Sequence, residues 1–159
     1  MTANLAASVH ARLLTRAKAR DEDFNRILSR YAIERFLYRL SISPVRDRYW
    51  LKGALLFELW FATPHRPTHD ADFLGFGPDD AQTLANAVRE ICGIAADDAM
   101  DFDPNSIQIE EIREEARYGG LRVKLLGRLG NARAARSSSM LVSAMSSRRA
   151  PWRSSTRLC

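Results

Sequence analysis

The sequence predicts an α+β domain in which helices come first and a short mixed β-sheet follows. Three observations carry this: a four-residue apolar spacing sustained near the N-terminus, short apolar runs bounded by Gly and Pro further on, and the lack of a regular strand and helix alternation. A chain of 159 residues is long enough for one domain with a substantial core.

Leu5 to Ala19 reads as a first, shorter helix. From Asp21 to Ser41 apolar residues recur at Phe24, Leu28, Ala32, Phe36 and Leu40, with arginines interleaved, which is an amphipathic helix ended by Ser43-Pro44. R-Y-W-L-K-G then reads as a short strand. The run A-L-L-F-E-L-W-F-A after Gly53 reads as a helix apolar on nearly all sides. A loop from Thr63 to His69 leads to the strand A-D-F-L-G-F. Beyond it, Asp79 or Asp80 is placed to cap a helix over Ala81 to Cys92, with Gly93 as its stop. S-I-Q-I-E-E-I and G-L-R-V-K-L-L alternate as half-buried strands, joined through Tyr118-Gly119-Gly120 as a hairpin.

The formal net charge of +5 is unevenly distributed. Residues 131–159 carry six arginines and no Asp or Glu, so the body is close to neutral. No apolar run has the length of a membrane-spanning helix and no signal-peptide core is present, which places the chain in the cytoplasm. The two cysteines, Cys92 and Cys159, make neither a disulfide framework nor a metal set, and Cys92 reads as an inert, buried thiol.

Asp70 and Asp72 stand one residue apart at the start of a strand, so both project to one face while Ala71 points to the other. Two converging carboxylates repel unless a cation intervenes, and Mg²⁺ held by one or two carboxylates plus substrate phosphates meets that need. A D-x-D pattern alone is also a common polar strand start. Context favours chemistry: Gly53, at a strand-to-helix turn seventeen positions before Asp70, offers free backbone N–H groups to a phosphate, and Lys52 and Arg66 add positive charge.

Taken together, R-Y-A-I-E-R-F-L-Y-R-L-S-I-S-P-V-R-D-R-Y-W-L-K-G-A-L-L-F, H-R-P-T-H-D-A-D-F-L-G-F-G and Y-G-G-L-R-V-K-L resemble the nucleotidyltransferase AbiEii/AbiGii toxin family over about residues 20–130. The resemblance implies a minimal nucleotidyltransferase-like fold, incomplete here at the C-terminus. It also implies Mg²⁺-dependent transfer of NMP from an NTP to an acceptor such as a tRNA end, and a cognate antitoxin as partner. By position, Lys52, Gly53 and Ala54 match the family's K-G-G or K-G-A segment, and Asp70 and Asp72 match its metal-binding, catalytic D-x-D. His69 stands where many relatives have Arg.

Three segments follow: helical residues 1–45, a partial nucleotidyltransferase-like core over 46–130, and a Ser/Arg-rich tail over 131–159, expected to be disordered. The tail has a sharper explanation. Relatives carry at this point a strand reading D-x-G-F-G-D, whose leading Asp is the third active-site carboxylate. If the gene is read out of frame from near residues 131–137, the AT of each ATG at Met140 and Met145 completes GAT, Asp, after a codon ending in G. With GC-rich codons, Met140 to Met145 becomes D-V-G-F-G-D. A chain truncated in this way would be weak or inactive as a transferase. The alternative is a non-catalytic RNA- or antitoxin-binding fragment. A half-finished sheet would also leave the strand near Leu121 to Leu126 as an unpaired, aggregation-prone edge.

Overall fold

The computed structural model describes residues 2–56, 70–112, 120–130 and 142–146, the last of these as a backbone strand. Two helices open the chain, α1 (Thr2–Arg20) and α2 (Phe24–Ile42). The first is longer than its apolar pattern suggests and matches α2 at 19 residues. Along α1, Leu5, Val9, Leu13 and Ala17 recur at every fourth position, and Val9 and Ala17 are buried. Asp23 starts α2 by accepting from the backbone N–H groups of Asn25 and Arg26 through Oδ1, at 2.9 and 3.2 Å. Those donors have no partner inside the helix, and the side chain supplies one.

The strands are β1 (Tyr49–Lys52), β2 (Ala71–Gly75), β3 (Met100–Ile112), β4 (Gly120–Leu129) and β5 (Val142–Ser146), with α3 (Ala81–Cys92) between β2 and β3. They form one five-stranded sheet in the order β1-β2-β5-β4-β3. The β2–β5 pair is parallel, and the other three pairs are antiparallel. Helix α3 has the expected bounds. Asp80 is its cap, accepting from Thr83 N at 2.8 Å and Thr83 Oγ1 at 2.6 Å, and Gly93 ends it.

One face of the sheet makes the core. Ala71, Phe73, Val123, Leu125 and Leu129 are buried, and they pack with Leu28, Ala32, Ile33, Phe36 and Leu40 of α2 and Leu84, Ala87, Val88 and Ile91 of α3. Phe36 and Phe102 meet edge to face, centroids 5.8 Å apart. The helical N-terminal segment therefore shares a single core with the sheet.

The structure departs from expectation in three places. Strand β3 starts at Met100, six positions before Ser106, because the stretch around Pro104 is taken up by a bulge. From Asp103 to Gln108 is five steps on β3 against two on β4. Ser106 Oγ closes the gap by accepting from Leu126 N at 2.9 Å and donating to Asp103 O at 2.6 Å. Second, within the tail expected to lack order, Val142–Ser146 form the central strand. Third, residues 120–123 of β4 pair with both β3 and β5, so this strand is interior and the edges are β1 and β3. The helix after Gly53 is described only over residues 54–56. The rest of the expected helix, the expected Thr63–His69 loop and Tyr118-Gly119 of the expected hairpin connection lie outside the described residues.

Gly130 closes β4 against α1. Its N–H donates to Ala99 O at 2.8 Å, its φ is +62°, and a Cβ there would stand 2.5 Å from Ala6 Cβ. Gly130→Ala is therefore expected to cost roughly 1–3 kcal/mol through backbone strain and overlap. Chemical denaturation checks this, and adding Ala6→Gly should recover part of the loss by removing the atom it strikes.

Candidate active site

The alternation of β2 decides where the acidic pair sits. Ala71 and Phe73 are 0% and 1% exposed on the core face. Asp72 therefore lies on the opposite face, where no described element packs, and Asp70 immediately precedes the strand in the same phase. Both aspartates are half-buried.

β1 brings the Lys52-Gly53 step to them. Lys52 is the direct antiparallel partner of Asp72, so both belong to the open face. Lys52 and Asp70 each have interaction partners of their own. Gly53 follows with φ +79°, a left-handed conformation that glycine adopts without penalty, and helical geometry begins at residue 54. A Cβ on Gly53 would lie 2.6 Å from Asp72 Oδ2. The turn is thus wrapped closely around one carboxylate oxygen, and only a residue without a side chain fits. The expected Lys52, Gly53, Ala54, Asp70 and Asp72 are brought together at the adjoining ends of β1 and β2. Arg66 and His69 lie outside the described residues.

The register continues across the sheet. Asp72 is level with Ser143 of β5, Ser143 with Arg122 of β4, and Arg122 with Glu110 of β3. Arg122 therefore stands two strands from Asp72 on the same face, about 10 Å away at ordinary strand spacing. Its Nε is buried without a hydrogen-bond partner among the described residues. Local alternation marks Arg122 only as polar, and its relation to Asp72 follows from β5 lying between them. Lys124, on the same face, pairs with Glu110.

Among the described residues no three His, Cys, Asp or Glu side chains come together as a metal site. Asp70 and Asp72 nevertheless supply hard oxygen donors of the type a divalent cation takes when substrate phosphates complete its shell. The absence of a side chain at Gly53 leaves the Asp72 carboxylate its place beside the turn, since a Cβ there would stand 2.6 Å from Asp72 Oδ2. Cys92 plays no part, since burial pushes its thiol up to about 12 and so keeps it protonated and unreactive.

A helical layer on one face of a mixed sheet, with a D-x-D strand set against a K-G turn on the open side, is the arrangement of a nucleotidyltransferase-type domain. The family model described as nucleotidyl transferase AbiEii toxin, type IV TA system, matches residues 35–149, and the chain belongs to this family. The match starts later than the sequence motifs suggest and runs through β5. A search among characterised proteins found no match. The family is one of nucleotidyltransferase toxins, which as a class generally use a divalent metal, and type IV systems pair the toxin with an antitoxin. Among the described residues no helix is long and apolar enough to cross a membrane.

Proposed function

We propose that the chain binds an NTP with Mg²⁺ at Asp70 and Asp72 and transfers its NMP group weakly to an acceptor such as tRNA, in the cytoplasm. The observation that carries this reading is the fit of the Gly53 turn to Asp72, which ties the K-G segment to the D-x-D strand. Asp70 and Asp72 would hold the cation, which would polarise the phosphates and offset their charge. Lys52, the backbone N–H groups of Gly53 and Ala54, and Arg66 bind and orient the phosphate chain. The acceptor hydroxyl oxygen then bonds to the α-phosphorus, the bond from that phosphorus to the β-bridging oxygen breaks, pyrophosphate leaves, and the hydroxyl proton goes to solvent.

The reading includes a limit on rate. The strand beside Asp72 comes from residues 131–159, which contain no Asp or Glu, so it brings no third carboxylate. A change of reading frame near residues 131–137 accounts for this, with Met140 standing at the position of the lost Asp. Loss of a metal ligand removes most of the activity of such a centre. Incubation with α-labelled NTPs and bulk tRNA is expected to give faint label transfer. Restoring the adjacent frame after codon 130 should raise it at least a hundredfold, and Asp70→Ala should abolish the gain. Strong transfer by the unaltered chain, or none after repair, would defeat the proposal.

A second reading rests on the six arginines and absent acids of residues 131–159, which suit a non-catalytic fragment that binds RNA or the antitoxin. Steeply salt-dependent RNA binding, unchanged by Asp70→Ala and lost on deleting residues 147–159, would favour it.

A further inference from the structure

Trp50 is the one large apolar side chain on the sheet, among the described residues, that is mainly exposed: 61% of its surface faces solvent. Its neighbours Tyr49 and Leu51 pack against the core, so alternation turns the indole to the open face, on the same side as Lys52 and Asp72. Isolated exposed apolar residues are ordinary and need no explanation. Trp50 is not isolated. It meets Phe76 edge to face, with ring centroids 4.8 Å apart and planes at 63°, and it pairs across the ladder with Leu74. Phe76 is itself fixed by its N–H, which donates to Arg48 O at 2.8 Å. A ring held against a second ring in this way is a fixed aromatic surface on the open side of the sheet.

The position of that face is informative. Trp50 and Lys52 lie two residues apart on one strand, about 6.6 Å. That is comparable to the separation between the α-phosphate of a nucleotide and its base, across the ribose. A cation and a hydrogen-bonding turn at one end of β1, with an aromatic plate at the other, complement both halves of a nucleotide.

We infer that Trp50, braced by Phe76, is the stacking platform for the nucleobase of the NTP whose phosphates lie at Lys52-Gly53. This rests on the function proposed above and adds the subsite that holds the base. Stacking is tolerant of base identity because every base has a π-face, so Trp50 contributes affinity for all four NTPs. It is a substrate-positioning residue and moves no proton.

The test compares binding of each NTP and of inorganic tripolyphosphate, both with Mg²⁺, to the full chain and its variants by equilibrium filter binding. Trp50→Ala is expected to weaken NTP binding on the order of tenfold. Tripolyphosphate, which has no base, should bind within twofold of the unaltered chain. Trp50→Phe should keep most of the NTP affinity, whereas Asp70→Ala should weaken both ligands. NTP binding untouched by Trp50→Ala, or an equal loss for tripolyphosphate, would overturn the inference, the latter because it marks a general structural defect. If the unaltered chain binds tripolyphosphate as tightly as NTP, the base subsite is refuted while the phosphate site stands. If it binds neither in an Asp70-dependent way, both proposals fall.

Discussion

Gly53→Ala is expected to abolish Mg²⁺-dependent NTP binding while the domain stays folded. The added Cβ would stand 2.6 Å from Asp72 Oδ2 and 3.2 Å from Asp72 Cβ, far inside ordinary contact. Relief requires rotating the Asp72 carboxylate away or opening the β1–β2 end, and each moves a proposed metal ligand from its place. The φ of +79° adds strain of roughly 1–3 kcal/mol for a residue with a Cβ. That strain should lower the melting temperature by roughly 3–10 °C, which a thermal scan reads, while filter binding reads the lost affinity.

Gly77 provides the control. It too has a left-handed φ, +107°, yet among the described residues a Cβ there would meet only the Arg48 guanidinium nitrogens, at 3.9 Å. Gly77→Ala is expected to lower the melting temperature comparably and leave NTP binding intact. Equal loss of binding in both variants would show that backbone strain, rather than the encroachment on Asp72, controls the site.

These two glycines show how far local sequence carries the structure. Helix α3 was legible because its signals are local: an Asp side chain that reaches Thr83 three residues on, and a glycine just past the last apolar position. That Asp72 faces away from Ala71 was legible for the same reason, since strand alternation needs no partner. Strand β5 was not. Its five residues are ordered by pairing with β2 and β4, distant in sequence, and the surrounding Ser and Arg composition carries no alternation. With β5 unseen, β4 looked like an edge and Arg122 had no visible relation to Asp72. The early start of β3 was hidden by Pro104, whose disruption the bulge absorbs.

The largest loss of stability is expected from Arg39→Met. Arg39 falls on the buried stripe of α2 between Phe36 and Leu40 and is only 3% exposed. A guanidinium has five N–H donors, and all five find acceptors here. Nη1 and Nη2 grip the Asp98 carboxylate at 2.7 and 3.0 Å, Nε donates to Ile94 O at 3.0 Å, and the remaining protons go to Arg35 O at 3.1 Å and Met100 O at 3.0 Å. The charge also lies over the Phe102 ring, 5.1 Å from its centroid. Asp98, 6% exposed, accepts in addition from Met100 N at 3.0 Å. This one side chain therefore joins α2 to the turn that launches β3, a turn that includes Ala99 at φ +60°.

Removing Arg39 alone strips the buried Asp98 charge and the carbonyls of Ile94 and Met100 of this donor, which costs about 3–5 kcal/mol for an ion pair broken in this way. Against a total stability of roughly 5–15 kcal/mol, that is enough to unfold a sizeable fraction at 37 °C. Arg39→Lys should restore little, because a single ammonium cannot span both carboxylate oxygens and the three carbonyls. Urea titrations of Arg39→Met, Asp98→Asn and the double variant separate the causes. Because the amide introduced by Asp98→Asn retains an acceptor for Met100 N and carries no charge, the double variant should be clearly more stable than the sum of the single losses predicts. Strict additivity would mean that the pair contributes packing alone and that the buried charge was never the source of the cost.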